Sequence, residues 1–232
     1  MLVQVNPIWT IDQGAPVGPQ LYRIIRERII RNDLTPGTRL SESELATAFS
    51  VSRQPVREAF IKLADEGLLD VRPQRGTFVR KISTAAVMDA RFVREAIEAD
   101  VVKLLAESAD EALITELRAQ LANQREVGLR DPKRFSELDE RFHRTLAEGA
   151  GKTNAWNVIE DLKSQMDRVR FLSLLKYPME KLIQQHTAIV DAIEAGDPAR
   201  CEEALRYHLR EILNDLPEIS RERPEFFEDT AS

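Results

Sequence analysis

The chain has 232 residues, of which 43% are hydrophobic and 31% are charged, and its formal net charge is −6. This length fits one large domain or two smaller ones, and the composition is that of a soluble globular protein. No apolar run is long enough to span a bilayer, and the start of the chain lacks the basic-then-apolar order of a signal peptide. The single Cys201 cannot form an internal disulfide. We therefore expect a cytoplasmic protein that does not bind membranes.

The negative net charge argues against a general nucleic-acid binder, but the charge is unevenly spread. Residues 17–80 hold eleven Lys and Arg against eight Asp and Glu, whereas the remainder holds 22 against 31. A mildly basic segment in an otherwise acidic chain is the pattern expected if only that segment binds the phosphates of DNA.

The first third of the chain predicts a helix-turn-helix followed by a two-stranded wing. Residues 1–16 show no period and are read as a flexible leader. Apolar spacing and turn residues then predict three helices, at 17–31, 43–49 and 52–67, and two strands, at 69–72 and 77–80. The third helix can be capped by Ser52 and stopped by Gly67, and residues 73–76 form the tip of the wing.

The rest of the chain predicts helices only. Capping residues, Asp-Pro starts and glycine stops divide residues 84–216 into six helices, which predicts an antiparallel bundle. Residues 217–232 are acidic and contain proline, and we expect them to be disordered. The predicted fold is therefore mainly α, with an N-terminal winged helix-turn-helix domain at 17–80 and a C-terminal six-helix bundle at 84–216.

The start of the third helix has the residue types that read duplex DNA. A recognition helix brings its N-terminal residues to the base edges of the major groove. Arginine can bind guanine through two hydrogen bonds and glutamine can bind adenine in the same way, while serine and backbone N–H groups suit phosphate. An ordinary helical hairpin with solvated arginines is the alternative, which the wing disfavours. The candidate DNA contacts are Arg39, Ser43, Ser52, Arg53, Gln54, Arg57, Arg75 and Gly76.

These residues also carry a family resemblance. The run Val51–Ala59, the Glu44-Leu45-Ala46 and Glu66–Leu69 segments and the Arg75-Gly76 tip resemble the winged-helix domain of GntR-family bacterial transcription regulators. The resemblance covers most of residues 17–80 and implies DNA contacts at Arg53, Gln54, Arg57 and the wing tip. The family usually has threonine where Gln54 stands.

The three histidines of the chain lie on three different predicted helices of the second domain. His143 follows Asp139 by four residues, so both point from one helical face. His186 and His208 lie on the fifth and sixth helices among apolar residues. Three imidazoles and a carboxylate that converge inside a bundle can bind a divalent transition metal. A buried structural histidine is the alternative for each one taken singly.

A second resemblance supports the metal site. The run from Asp139 to Leu146 resembles the D-x-x-F-H-x-x-L motif of the FCD ligand-binding domain of the FadR subfamily, over about residues 84–216. His186 and His208 match the other two metal-binding histidines of that domain, and six helices resemble its VanR-like group. The resemblance implies a metal ion, Zn first and Ni or Mn as alternatives.

Three arginines are candidates for binding a small carboxylate effector. Arg94 matches an arginine that often meets the effector in this domain, and an ion pair with Glu98 is its alternative role. Arg168 and Arg170 can also face the cavity, although arginine in a long helix is usually solvated.

Together these features predict a metabolite-responsive transcription regulator, more often a repressor than an activator. We expect a homodimer on a pseudo-palindromic operator, with a small organic acid bound at the metal site. Two alternatives remain from the sequence, namely a metal-dependent enzyme that uses the same site and a regulator that senses the metal itself.

Overall fold

The computed structural model describes residues 10–127 and 131–229. The chain forms two compact units, Met1–Thr84 together with Arg223–Ser232, and Ala85–Glu222. The predicted fold class, a winged helix-turn-helix followed by a helical domain, is confirmed.

The first unit is a three-helix core with a small antiparallel sheet. The sheet has the order β1-β3-β2, so that the first strand completes the two-stranded wing. Apolar side chains of all three helices, among them Leu21, Leu45 and Phe60, share one core. The elements are α1 (Val17–Ile30), β1 (Arg39–Leu40), α2 (Glu42–Ala48), α3 (Arg53–Asp65), β2 (Leu69–Arg72) and β3 (Gly76–Val79).

The N-terminal caps of α2 and α3 agree only in part with the sequence-based predictions. Ser41 caps α2, because its hydroxyl accepts a hydrogen bond from the backbone N–H of Glu44 at 3.4 Å. Ser52 is the residue that precedes α3, as predicted, but its side chain makes no capping hydrogen bond. Ser52 is exposed at the start of α3.

The second unit is all-helical, and its helix ends follow the predicted signals. Asp131 and Asp197 accept hydrogen bonds from backbone N–H groups three residues later, each before a proline in the first turn. Gly151 and Gly196 have positive φ angles where helices end. The helices are α4 (Thr84–Ser108), α5 (Glu111–Val127), α6 (Pro132–Gly149), α7 (Thr153–Leu162), α8 (Ser164–Lys176), α9 (Glu180–Glu194), α10 (Pro198–Arg210) and α11 (Ile212–Glu222).

Two of the helices were not expected from the sequence. The fourth predicted helix is divided at Lys163 into α7 and α8. The chain also continues after Glu211 into α11, which buries Ile212, Leu216 and Ile219 along one face and contains Pro217. Within residues 10–127 and 131–229, no helix is long and apolar enough to cross a membrane.

Residues 217–229 are ordered, which corrects the prediction of disorder for this part of 217–232, and residues 230–232 lie outside the described residues. After α11, a 3-10 helix (Pro224–Phe226) brings Phe227 alongside Ile82 as a parallel bridge. The backbone N–H of Ile82 donates to Phe226 O at 2.7 Å, and the N–H of Glu228 donates to Ile82 O at 2.9 Å. Phe226 and Phe227 are buried. Apolar burial and backbone pairing therefore outweigh the acidic, proline-containing composition in residues 217–229.

Candidate metal centre and DNA-binding surface

The four predicted metal ligands meet inside the helical unit. Asp139 and His143 lie one turn apart on α6, His186 lies on α9 and His208 on α10. One ligand atom from each of the four residues lies within 4.8 Å of the others. His208 Nε2 is 3.1 Å from His143 Nε2 and 3.3 Å from His186 Nε2, and His186 Nε2 is 3.4 Å from Asp139 Oδ1. All four residues are buried.

An ion pair on α4 orients His143. Glu98 Oε2 lies 2.6 Å from His143 Nδ1, and Glu98 Oε1 accepts a hydrogen bond from Arg94 Nε at 2.6 Å. Burial raises the pKa of Glu98, but the charge of Arg94 and the hydrogen bonds from Arg94 and His143 outweigh this effect and hold the pKa below its usual value. The acceptor is therefore a carboxylate, and the proton of His143 lies on Nδ1.

Two glutamines orient the other histidines. Gln124 Oε1 lies 2.9 Å from His186 Nδ1, and Gln185 Oε1 lies 3.0 Å from His208 Nδ1. The opposite end of each amide is also engaged, because Gln124 Nε2 donates to Leu138 O at 3.4 Å and Gln185 Nε2 donates to Glu211 at 2.9 Å. These bonds set the amide orientations, so that Nδ1 of both histidines is the donor.

The consequence is that three Nε2 lone pairs face one point. Burial lowers the pKa of His186 to about 3 and that of His208 well below its usual value, so both rings are neutral near pH 7. The Nε2 atom of His208 lies 3.1 Å from that of His143 and 3.3 Å from that of His186. Lone pairs on nitrogen atoms this close repel one another unless a cation or a proton lies between them. Histidine ligands of metals commonly donate the other ring N–H to such outer partners. The donor set therefore fits a divalent transition metal.

Arg170 shares the carboxylate of this centre. Its Nη2 lies 2.7 Å from both oxygens of Asp139. Burial raises the pKa of Asp139, but the positive charge of Arg170 opposes this effect, and the pKa is lowered to about 2 overall. Of the three predicted effector arginines, Arg170 is the one in direct contact with a predicted metal ligand.

The other two predicted effector arginines are held differently. Arg94 is 2% exposed and forms the ion pair with Glu98 that was its alternative role in the sequence. Arg168 is fully buried, and its Nη1 lies 3.3 Å from Gln165 on the same helix, while its Nε and Nη2 make no hydrogen bond. Burial lowers the pKa of Arg168 to about 10. The effector roles of Arg94, Arg168 and Arg170 stay predictions.

A small cavity adjoins the centre. His208 and Arg170 line it together with Ser173, Glu211 and Asp215, and its volume is about 30 Å³. This space can hold ordered water, for which about 10–15 Å³ suffices, and it is far smaller than a cavity of about 150 Å³ that binds benzene.

The predicted DNA contacts lie on the surface of the first unit. The side chains of Arg53 and Arg57 are 63% and 55% exposed. Ser43, at the start of α2, and Gln54, in the first turn of α3, are also exposed. Gln54 Nε2 donates to Glu58 at 3.0 Å, one turn further along α3.

Apart from Ser52, the remaining candidates lie in or beside the wing. Arg39 and Arg75 are exposed, and Arg39 lies on β1, directly beside β3. Gly76 has a φ of +109°, and a Cβ atom added there would lie 2.9 Å from Arg39 Nε. Both observations explain why this position of the wing requires glycine.

Four side-chain contacts of the predicted sites were not predicted from the sequence. Glu98, Gln124 and Gln185 orient the histidines, and Glu42 on α2 accepts hydrogen bonds from both Arg53 and Arg57. For Glu98, the i, i+4 spacing from Arg94 was a usable signal. The other three carry no local signal, because their partners lie on other helices.

Comparison with known proteins agrees with both parts of the molecule. Residues 18–79 match the family model described as "Bacterial regulatory proteins, gntR family", and residues 89–211 match the FCD domain. The HTH-type transcriptional repressor RspR of Escherichia coli K12 is 42% identical over 226 residues, covering 97% of this chain and 96% of the relative. The chain belongs to the GntR family, with an FCD domain.

Two further matches extend the comparison. A probable D-xylose utilization operon transcriptional repressor of Paenarthrobacter nicotinovorans is 32% identical, with 85% of this chain and 87% of the relative covered. The structure of E. coli McbR/YncC has a TM-score of 0.76 at 19% identity, over 88% of this chain and 98% of that chain, and supports the fold. The matched families and relatives are transcription regulators, which excludes the enzyme alternative.

Proposed function

We propose that this GntR-family protein is a metabolite-responsive repressor that binds its operator as a homodimer in the cytoplasm. A small organic acid would bind at the metal centre of the helical unit and change the affinity for DNA. The convergence of three buried Nε2 lone pairs beside Asp139 carries this proposal. The name of the relative RspR supports repression rather than activation.

Asp139, His143, His186 and His208 would hold the metal, with Zn expected first and Ni or Mn as alternatives. A bound divalent ion supplies a positive charge that attracts a carboxylate oxygen of the effector. Glu98, Gln124 and Gln185 keep the three Nδ1 protons away from the centre, so that each ring presents a lone pair without further reorganisation.

Arg170 and the helices around the small cavity would connect effector binding to a change of conformation. The cavity of about 30 Å³ does not admit an organic acid, so an acid must widen it or displace a side chain. Arg170 lines the cavity and contacts Asp139. An incoming carboxylate would therefore compete with Asp139 for this guanidinium, which gives the effector different affinities for two arrangements of the helices.

On DNA, the homodimer would place two recognition helices on half-sites about 34 Å apart, which is one helical turn. Arg39, Ser43, Ser52, Arg53, Gln54, Arg57, Arg75 and Gly76 are the proposed contacts. Because phosphate contacts dominate such binding, we expect operator affinity to fall steeply with salt.

The test combines metal analysis with DNA binding. Purified protein should contain close to one metal ion per chain by plasma mass spectrometry, and His208→Ala should lose it. Tyr207→Ala is the matched control, because Tyr207 is the exposed neighbour of His208 on α10. A duplex selected from a random pool by the protein then serves as the operator in fluorescence anisotropy, with a panel of small mono-, di- and hydroxycarboxylic acids.

We expect at least one acid to change operator affinity about tenfold or more in the metal-loaded protein and to lose this effect in His208→Ala. If no acid changes the affinity at saturation, the effector proposal is wrong. If metal alone, added to stripped protein, gives the full change, the protein is instead a metal sensor.

A further inference from the structure

A carboxylate on α2 holds the two arginines of the recognition helix. Glu42 lies in the first turn of α2 and its side chain is 23% exposed. Its Oε2 accepts hydrogen bonds from Arg57 Nη2 at 3.0 Å and from Arg53 Nη2 at 3.1 Å, and its Oε1 accepts one from Arg57 Nε at 3.1 Å. One acidic side chain from the first helix of the motif thus orders the two cations of the second.

The two arginines are held to different extents. Arg57 makes two parallel hydrogen bonds through the edge formed by Nε and Nη2, which fixes the plane and direction of its guanidinium. Its opposite edge, formed by Nη1 and Nη2, carries N–H groups that these bonds do not use. Arg53 is held by one hydrogen bond from Nη2, so its guanidinium can still rotate.

This difference matters for reading bases. Guanine presents O6 and N7 in the major groove, and arginine recognises both atoms with two N–H groups on one edge. An arginine already fixed by a carboxylate loses less conformational entropy when it binds, and it can bind only in the orientation that the carboxylate allows. A phosphate makes smaller demands on orientation, because it accepts hydrogen bonds from many directions.

We infer that Glu42 is a specificity-determining positioning residue, which directs the Nη1–Nη2 edge of Arg57 toward a guanine and leaves Arg53 to bind phosphate. This inference rests on the proposed DNA contacts of α3. The carboxylate has a second effect, because a negative charge beside the two arginines weakens their attraction to any phosphate. Glu42 therefore raises specificity in two ways, by fixing the base-reading arginine and by weakening sequence-independent binding.

Glu42 could also serve α2 alone, because an acidic residue in the first turn of a helix interacts favourably with the helix dipole. Glu44 tests this explanation, since it lies in the same first turn, is exposed and accepts no side-chain hydrogen bond from Arg53 or Arg57. If Glu42 acts only on the helix dipole, substituting Glu42 or Glu44 should have equal effects on DNA binding. If Glu42 positions Arg57, only its substitution should change the ratio of selected to scrambled affinity.

The experiment measures affinities of full-length Glu42→Gln and Glu44→Gln for two duplexes, one selected from a random pool by the wild-type protein and one scrambled. We expect Glu42→Gln to bind the scrambled duplex about threefold more tightly and to lose about tenfold in the ratio of selected to scrambled affinity. Glu44→Gln should change both affinities by the same factor. An unchanged ratio in Glu42→Gln, with wild-type circular dichroism and melting, overturns the inference.

Arg57→Ala separates this inference from the proposed function. The variant should lose the preference for one guanine in a repeated selection, and adding Glu42→Gln to it should have no further effect on the affinity ratio. If Arg57→Ala and Arg53→Ala both leave operator binding unchanged, the proposed DNA surface is wrong. If they weaken operator binding while Glu42→Gln preserves the ratio, only the positioning role is wrong.

Discussion

The two halves of the molecule contain the same arginine–glutamate pair in opposite surroundings. On the recognition helix, the side chains of Arg57 and Glu42 are 55% and 23% exposed. In the helical unit, those of Arg94 and Glu98 are each 3% exposed and the Glu98 carboxylate also holds a histidine. The chemistry of the contact is the same, so the difference in exposure decides what each pair can do.

Exposure leaves the first pair open to DNA. An ion pair at the surface contributes only about 0–1 kcal/mol to stability, so its main effect is to orient Arg57, whose Nη1–Nη2 edge stays accessible to a base. A buried pair behaves differently, because removing one partner leaves a charge without water or counter-charge. The exposed pair therefore orients a side chain for a further partner, whereas the buried pair is needed for the stability of the unit that contains the metal centre.

The largest expected effect is on the stability of the buried pair. Glu98→Gln leaves Arg94 without its counter-charge and should lower the free energy of unfolding of the helical unit by about 3–5 kcal/mol. Urea unfolding in a Trp9→Phe background measures this, because Trp156 in the core of the unit is then the remaining tryptophan. Glu137→Gln, which removes the exposed partner of Arg134 on α6, should cost about 0.5 kcal/mol. Equal losses of unfolding free energy in Glu98→Gln and Glu137→Gln would contradict the contrast between buried and exposed ion pairs.

A smaller effect should follow from loosening one histidine. Gln185→Ala removes the acceptor of His208 Nδ1, and we expect a 10- to 100-fold loss of metal affinity, roughly the effect of losing an outer partner of a ligand. Competition with a chromogenic chelator measures the affinity. The adjacent, exposed Gln184→Ala is the control and should bind metal as the wild type does. Wild-type affinity in Gln185→Ala would mean that packing alone orients His208.

On the exposed side, the expected effect is a change in salt dependence. Arg53→Ala should reduce the slope of log affinity against log salt by about 0.9, the value for one lost phosphate contact, for selected and scrambled duplexes alike. Arg23→Ala removes an exposed arginine from α1, outside the proposed contacts, and should leave the slope unchanged. A loss confined to the selected duplex would make Arg53 a base-reading residue instead.

The smallest effect concerns the only thiol. Cys201 is fully buried, and burial raises the pKa of its thiol to about 11, so little thiolate forms at pH 8. We expect no reaction with Ellman's reagent in the native protein and complete reaction in urea. Rapid labelling without denaturant would show that the core of the helical unit opens readily, which would weaken the contrast with the DNA-binding surface.

The sequence predicted the parts of this molecule that depend on local spacing. Asp139 and His143 share a helical face because they are four residues apart, and the Arg-Gly wing tip followed from turn chemistry. His186 and His208 were placed by resemblance, and the structure brings them to the same point. Gln124 and Gln185 could not be predicted, because a buried glutamine is recognisable only once the atom it bonds on another helix is known. The prediction of disorder was wrong for residues 217–229 for a related reason, since composition does not reveal the bridge to Ile82.

That bridge means that the winged-helix unit is discontinuous in sequence. A fragment ending at Thr84 contains the whole helix-turn-helix but lacks the segment that pairs with both backbone groups of Ile82 and contributes two buried phenylalanines. Chimeric regulators made by fusing this winged-helix unit to another sensor domain would therefore have to include residues 223–229.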